Sequence, residues 1–335
     1  MVEYSGKYRI FDVSKIETYS LFSRPSKVKI NDLKNFEEIT NDFSDLDPQV
    51  TSNIQELAKA ILKAKRNNKK VIIISGAHII KNGLGTFLIW LMENDLVDHI
   101  GVNGAFTIHD FELAFAGMTS ESIPNALSEG KFGFAKETGE ILNKSIIKGN
   151  KLKLGYGETL GRLLLNELQG FESIEFPYRD KSVIYNAYKH GVPLTVHIGI
   201  GTDINQMHPS FDGAAAGACS TRDFLIMAES VSKLEDGVLI LIGSAVTGVE
   251  VFLKAISMAA NIGKPPYGLT TADFDIRDAI LSDADDEDKP TYYFRDIKSI
   301  VVRIPKSFKG KGYYIKGDQR KTIPFLWKQL LKGDK

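Results

Sequence analysis

The sequence predicts an α/β protein, a single Rossmann-like domain with a mainly parallel sheet and helices on both faces. Three observations carry that expectation. Short runs such as Val71-Ile-Ile-Ile74 are continuously apolar, as strands buried on both faces of a parallel sheet must be. Stretches with apolar residues at helical spacing precede these runs again and again, the pattern of βαβ units. Glycines and other small residues follow them, where a strand has to turn tightly into a helix.

The elements follow in order. Residues 1–50 carry Pro25, Pro48 and clustered Asp and Asn, and read as an N-terminal extension with short helices, ahead of one α/β domain over 51–335. From Thr51 to about Ala64, Ile54, Leu57, Ala58, Ile61 and Leu62 fall on one helical stripe, which Lys65-Arg-Asn-Asn68 ends before the strand at Val71. A helix over Gly85–Asn94 leads to a strand at Val97–Val102, and one over Ser182–Lys189 to a strand at Leu194–Ile198. A helix over Ser220–Lys233 precedes the strand Gly237–Gly243, and a helix over Thr247–Asn261 precedes Tyr267–Thr271. The acidic stretch 282–290, SDADDEDKP, reads as a solvated loop, since a calcium loop needs glycine and ligands at fixed spacing.

Composition narrows the function. Lys plus Arg is 42 and Asp plus Glu is 42, a net charge of +0 that removes the electrostatic case for a nucleic-acid or anionic-membrane partner. No run approaches the roughly 20 apolar residues that span a bilayer, and the mixed start MVEYSGKYRIFDVSK lacks the apolar core of a signal peptide. The one cysteine, Cys219, can form neither an intramolecular disulfide nor a four-cysteine zinc module, which points to a reducing, cytoplasmic setting.

In doubly wound sheets ligands sit at the carboxyl ends of the strands, so the residues after each strand are the site candidates. Gly76, Ala77 and His78 follow the first strand in a small-residue turn suited to a phosphate. Asn103, Gly104 and Ala105 follow the second, with His109 and Asp110 read as opening a helix that faces the cleft. The segment Thr195–Gly213 gathers His197, Asp203, His208 and Asp212 with several glycines at the end of a buried strand, where stability alone would not place them. Their spacing matches no metal-ligand pattern, so no metal is expected. Cys219 has no assignable base, and Thr270–Asp275 reads as polar rim after its strand.

Taken together these segments resemble the deoxyhypusine synthase family from about residue 50 to the end. Leu96-Val-Asp98 matches in order and is followed by Asn103-Gly-Ala105 in place of the family's Thr-Ala-Gly, and Asp110 falls where the family carries an acidic pair. Ser182-Val-Ile-Tyr-Asn-Ala with Val192-Pro-Leu is similar to the helix and strand before its Thr-Asp-Gly loop, here Gly201-Thr-Asp203. Thr271-Ala-Asp-Phe-Asp275 looks like its Thr-Ala-x-Glu-Phe-Asp, and Gly317-Asp318 with Pro324 like its closing Ala-Asp and proline. The departure falls at Gly243-Ser-Ala-Val-Thr-Gly248-Val-Glu250, similar to the family's Gly-Gly-Gly-Val-x-Lys-His-His but with glycine at the lysine position, and Phe294 or a neighbour replaces the pocket tryptophan.

The resemblance implies an NAD-binding fold contacting Gly76, Ala77, His78, Asn103, Gly104, Ala105, Asp110, Thr271, Ala272 and Asp318, and a homo-oligomer, by analogy a tetramer. It implies a small-molecule substrate such as a polyamine, handled by an NAD-dependent transferase or oxidoreductase in which His197, His208 or His109, with Asp203, moves the proton. Without an amine at position 248 the usual spermidine-dependent deoxyhypusine synthesis is not expected, because the imine needs one. The alternative is a non-catalytic, NAD-responsive regulatory paralogue.

Overall fold

The computed structural model describes residues 4–39 and 42–333; residues 1–3, 40 and 41 of the extension and the last two residues lie outside it. Six strands form one parallel sheet: β2 (Val71–Ser75), β3 (His99–Asn103), β5 (Leu194–His197), β6 (Val238–Ile242), β7 (Thr270–Asp275) and β8 (Lys311–Lys316). Their spatial order is β5-β3-β2-β6-β7-β8, so the chain works outward from β2 in one direction, then returns to work outward from β6 in the other. This is the 3-2-1-4-5-6 order of dinucleotide-binding sheets, with the reversal between β2 and β6. A separate antiparallel ribbon joins β1 (Ser26–Lys29) of the extension to β4 (Met118–Glu121).

All five residues of β2 are buried, and their alternation divides the core. Val71 and Ile73 belong with Ile54, Leu57 and Ile61 of α1 (Pro48–Arg66) and with Leu326 and Leu330 of α12 (Gln319–Gly333). Ile72 and Ile74 belong with Met227 of α9 (Gly213–Val231) and Phe252 of α10 (Thr247–Asn261). Helices therefore cover both faces, as continuous apolar strands require. Helix α1 starts three residues ahead of the expected Thr51 because Asp47 accepts from Gln49 N and Val50 N and Pro48 fills its first position, and Lys63, Lys65 and Arg66 suit its carboxyl end.

Several boundaries differ from the sequence expectation. The strand expected at 97–102 runs 99–103, and α9 begins at Gly213, ahead of Ser220, because Asp212 accepts from Ala215 N and caps the small-residue run. The strand expected at 267–271 is β7 at 270–275, so Thr271 and Ala272 are fully buried within the strand and not on the rim after it. The strand β8 and the helices α6 (Lys136–Lys151) and α7 (Tyr156–Leu164) have no counterpart in the sequence reading, and the helix expected to open at His109 and Asp110 is α4 (Gly104–Ala116), which begins five residues earlier. The extension holds 3-10 turns as expected, together with β1.

Edge strand β5 is closed by a carboxylate. Asp223 of α9, 1% exposed, accepts from Val196 N at 2.7 Å and from Gly157 N at 2.9 Å, tying β5 to α7. Asp223→Ala strands both amides, and urea denaturation should show a loss of about 2–4 kcal/mol. At the centre, a Cβ on Gly76 would lie 2.3 Å from the Gly243 carbonyl oxygen, so Gly76→Ala should cost about 1–3 kcal/mol in the same measurement.

Candidate functional site

The carboxyl rim of the sheet carries two clefts, one on each side of the β2–β6 junction. The first, of about 400 Å³, lies over β6, β7 and β8 and is lined by His78, Gly243, Asp273, Asp275, Asp296, Asp318 and Gln319 among others. Among the described residues, Asp273, Asp275 and Asp296 form the one group whose carboxylates all come within 4.8 Å of one another. Arg277 pairs with Asp275 and Asp296 and stacks over Phe294 at 4.6 Å. Three buried acceptors in this cleft have no hydrogen-bond partner: Asp273 Oδ2, Asp296 Oδ1 and Gln319 Oε1. Burial pushes Asp273 well above the usual carboxylate range, with Asp296 and Asp275 adding to the effect, and burial raises Asp296 as well. Asp318 is matched by Arg320, which holds its carboxyl below the usual range.

The second cleft, of about 220 Å³, lies over the start of α4 and the loop after β5, and Arg24 from the extension helps to close it. It brings together two of the predicted catalytic residues, His109 and Asp203. Asp203 accepts from Ala105 N, its Oδ2 lies 2.2 Å from where a Cβ on Gly104 would sit, and burial pushes its pKa up to about 6. His109 sits inside α4, not at its start, and bonds Thr119 Oγ1 through Nδ1 at 2.7 Å; burial lowers it to about 4.

The other candidates are placed elsewhere. His197 ends β5 and meets Thr195 Oγ1 at 3.0 Å, which in turn meets His99 at 2.8 Å, so it belongs to a buried polar chain. His208 bonds the Gly133 carbonyl at 2.9 Å and packs on Phe134. Asp110 is fully buried and faces away from His109: it accepts from Ser182 Oγ at 2.5 Å, Val183 N at 2.8 Å and Ile184 N at 3.2 Å, capping α8 (Val183–Lys189). Asn103 caps α4 by accepting from Phe106 N. Thr271 donates to the Ile300 carbonyl inside the core. Cys219 is buried and its thiol is pushed up to about 11 by burial, which leaves it inert as a nucleophile. A Cβ on Gly248 would lie 2.6 Å from Ile74 Cγ2, so that position faces the sheet and has no room for a lysine.

Sequence reasoning misses Asp296, Gln319 and Arg24, and does not single out Asp273 or Asp275. Alternation along β7 was the available signal, since residues two apart on a strand share a face. It also misses Lys298, which is 7% exposed, with its ammonium 3.6 Å from the Tyr292 ring centroid and no ion pair among the described residues; burial and the neighbouring Arg303 and Arg295 lower its pKa.

The chain matches no family model. It matches no curated protein. Among solved structures it is similar to a proposed deoxyhypusine synthase from Entamoeba histolytica, at 12% identity over 95% of this chain and 97% of that one, with a TM-score of 0.50. The apo arginine dihydrolase ArgZ of the cyanobacterial ornithine–ammonia cycle matches 86% of this chain at 14% identity and TM-score 0.50, and unliganded AgrE matches 85% at 14% and 0.51. The chain spans 32% and 33% of those two proteins. These likenesses show the Rossmann-like α/β fold. Among the described residues no helix is long and apolar enough to cross a membrane.

Asp203 carries a pH signature. Its folded pKa of about 6 exceeds the ordinary 3.8, so the protein holds this proton more tightly when folded. Its contribution to stability is complete below about pH 4 and is lost as pH rises through about 6. Unfolding free energies at pH 4.5 and 7.5 should therefore differ less in Asp203→Asn than in the unaltered protein, by about 2 kcal/mol.

Proposed function

We propose that this chain binds a small primary amine, of the polyamine class, in the acidic cleft of a deoxyhypusine synthase-like fold, and does so without lysine chemistry at position 248. The observation that carries the reading is the set of three orphaned acceptors, Asp273 Oδ2, Asp296 Oδ1 and Gln319 Oε1, in one cleft. A primary ammonium offers three donors and no acceptor, the complement of that set. Each buried acceptor left unpaired costs about 1–3 kcal/mol, which a bound ammonium would offset. Charge points the same way, because three carboxylates face the single cation of Arg277 while Asp318 and Arg320 cancel.

The fold family implies NAD, and the rim tests that expectation. A pyrophosphate needs free backbone amides at a helix start and a glycine that admits close approach. Here Asn103 and Asp203 already accept from the first amides of α4, Asp203 fills the approach to Gly104, and the Gly243 carbonyl fills that to Gly76. The remaining cleft is lined by carboxylates that repel phosphate. These residues do not fit the dinucleotide, and our reading routes no step through nicotinamide.

Calorimetry with spermidine and 1,4-diaminobutane should show binding that Asp273→Asn weakens at least tenfold, while NAD at millimolar concentration leaves thermal stability unchanged. Binding should tighten as pH rises, because the raised Asp273 must give up its proton before it can pair with the ammonium. Stabilisation by NAD with none by amines would overturn the reading.

A further inference from the structure

The second cleft holds an arrangement that amine binding does not use and shares no lining residue with the first. Its centre is Glu112 of α4, 1% exposed. One carboxylate oxygen accepts from Arg24 Nη2 at 2.8 Å and from Thr119 Oγ1 at 2.6 Å, and the other from Thr138 Oγ1 at 2.8 Å. Paired with Arg24 and surrounded by donors, Glu112 acts only as an acceptor. The single proton of Thr119 is therefore directed at Glu112, and Thr119 Oγ1 must accept from His109. That fixes the histidine as the Nδ1–H tautomer and leaves Nε2 with a free lone pair. Nε2 has no hydrogen-bond partner among the described residues, and His109 lines the cleft.

This is a base oriented by a hydroxyl that is itself oriented by a carboxylate, the logic of an activated general base. Burial keeps the imidazole neutral near pH 7; Glu112 opposes that effect, whereas Lys81, Arg24 and His78 reinforce it. Arg24, 7% exposed, contributes a second feature: it lines the cleft, and its buried Nε–H has no hydrogen-bond partner among the described residues. Such a donor calls for an acceptor oxygen on a ligand. Arg24 and Lys81 balance Glu112 and Glu121, burial favours the protonated form of Asp203, and Ile108, Ile123 and Phe132 supply apolar walls. The balance suits a small neutral molecule over an ion.

We propose that this cleft is a proton-abstraction site for a small neutral hydroxycarbonyl compound, with His109 as its catalytic base. The carbonyl oxygen accepts from Arg24 Nε–H, and His109 Nε2 removes a proton from the adjacent carbon. The C–H bond breaks, its electron pair passes into the enolate, and the charge develops on the oxygen beside Arg24. The proton held on Nε2 returns to the same carbon of the enediolate as the carbonyl re-forms, which closes the cycle without oxidant or cofactor. Thr119 and Glu112 are positioning residues that act through His109.

The test uses the full chain and hydroxyacetone as probe, following deuterium uptake at its methylene carbon by proton NMR in D2O. Saturable exchange is expected, falling about 100-fold or more in His109→Gln and about tenfold in Thr119→Val, with Thr119→Ser restoring the rate. Nitrogen-15 NMR of the unaltered protein should show His109 with Nδ1 protonated and Nε2 bare, and Thr119→Val should mix the tautomers. Exchange no faster than buffer, full activity in His109→Gln, or a His109 protonated on Nε2 would each overturn the proposal.

Discussion

Everything on the rim depends on how β2 and β6 meet. Gly76 N donates to the Ile242 carbonyl at 3.0 Å, one residue beyond the last paired strand position, and a Cβ at Gly76 would strike the Gly243 oxygen. The two strands thus stay joined past their ends. In other sheets of this order the crevice between the first and fourth strands admits the ligand. Here backbone fills it, and space opens to either side instead: an acidic cleft over β6, β7 and β8, and a smaller one over α4 and the loop after β5.

The two clefts treat buried charge in opposite ways. Around Glu112 every carboxylate oxygen has a donor, so the group is fixed in place and passes that order to Thr119 and His109. Around Asp273 the accounting is left open: Arg277 serves Asp275 and Asp296, and acceptors on Asp273, Asp296 and Gln319 remain without partners. A buried polar network half satisfied in this way is costly, and is kept where a ligand completes it. Preorganisation on one side and incompleteness on the other are the two ways in which a rigid fold prepares a site.

The sheet and most of its helices were legible because burial on two faces leaves a direct mark on sequence. Val71–Ile74 and Val238–Ile242 had to be apolar throughout, and Ile54, Leu57, Ala58, Ile61 and Leu62 marked one face of a helix. The site was less legible, because its groups are assembled across long separations. Arg24 reaches Glu112 from 88 residues away, in a stretch that reads as mere extension. Asp110 and His109 are neighbours in sequence, yet the helix turns one toward α8 and the other toward the cleft. His208, chemically the equal of His109, is absorbed by packing on Phe134 and a carbonyl. Residue type and proximity to a strand end identified the rim, but only the fold shows which polar groups are already satisfied.

The most direct measurement of the central claim is the proton balance of amine binding. Titrating 1,4-diaminobutane calorimetrically at pH 6 in buffers of different ionisation enthalpy gives the number of protons released per ligand bound. Because burial raises Asp273 in the free protein and it must lose its proton to pair with an ammonium, the account predicts a net release of protons on binding, abolished in Asp273→Asn. Binding without proton release, or release unchanged in that variant, would contradict it.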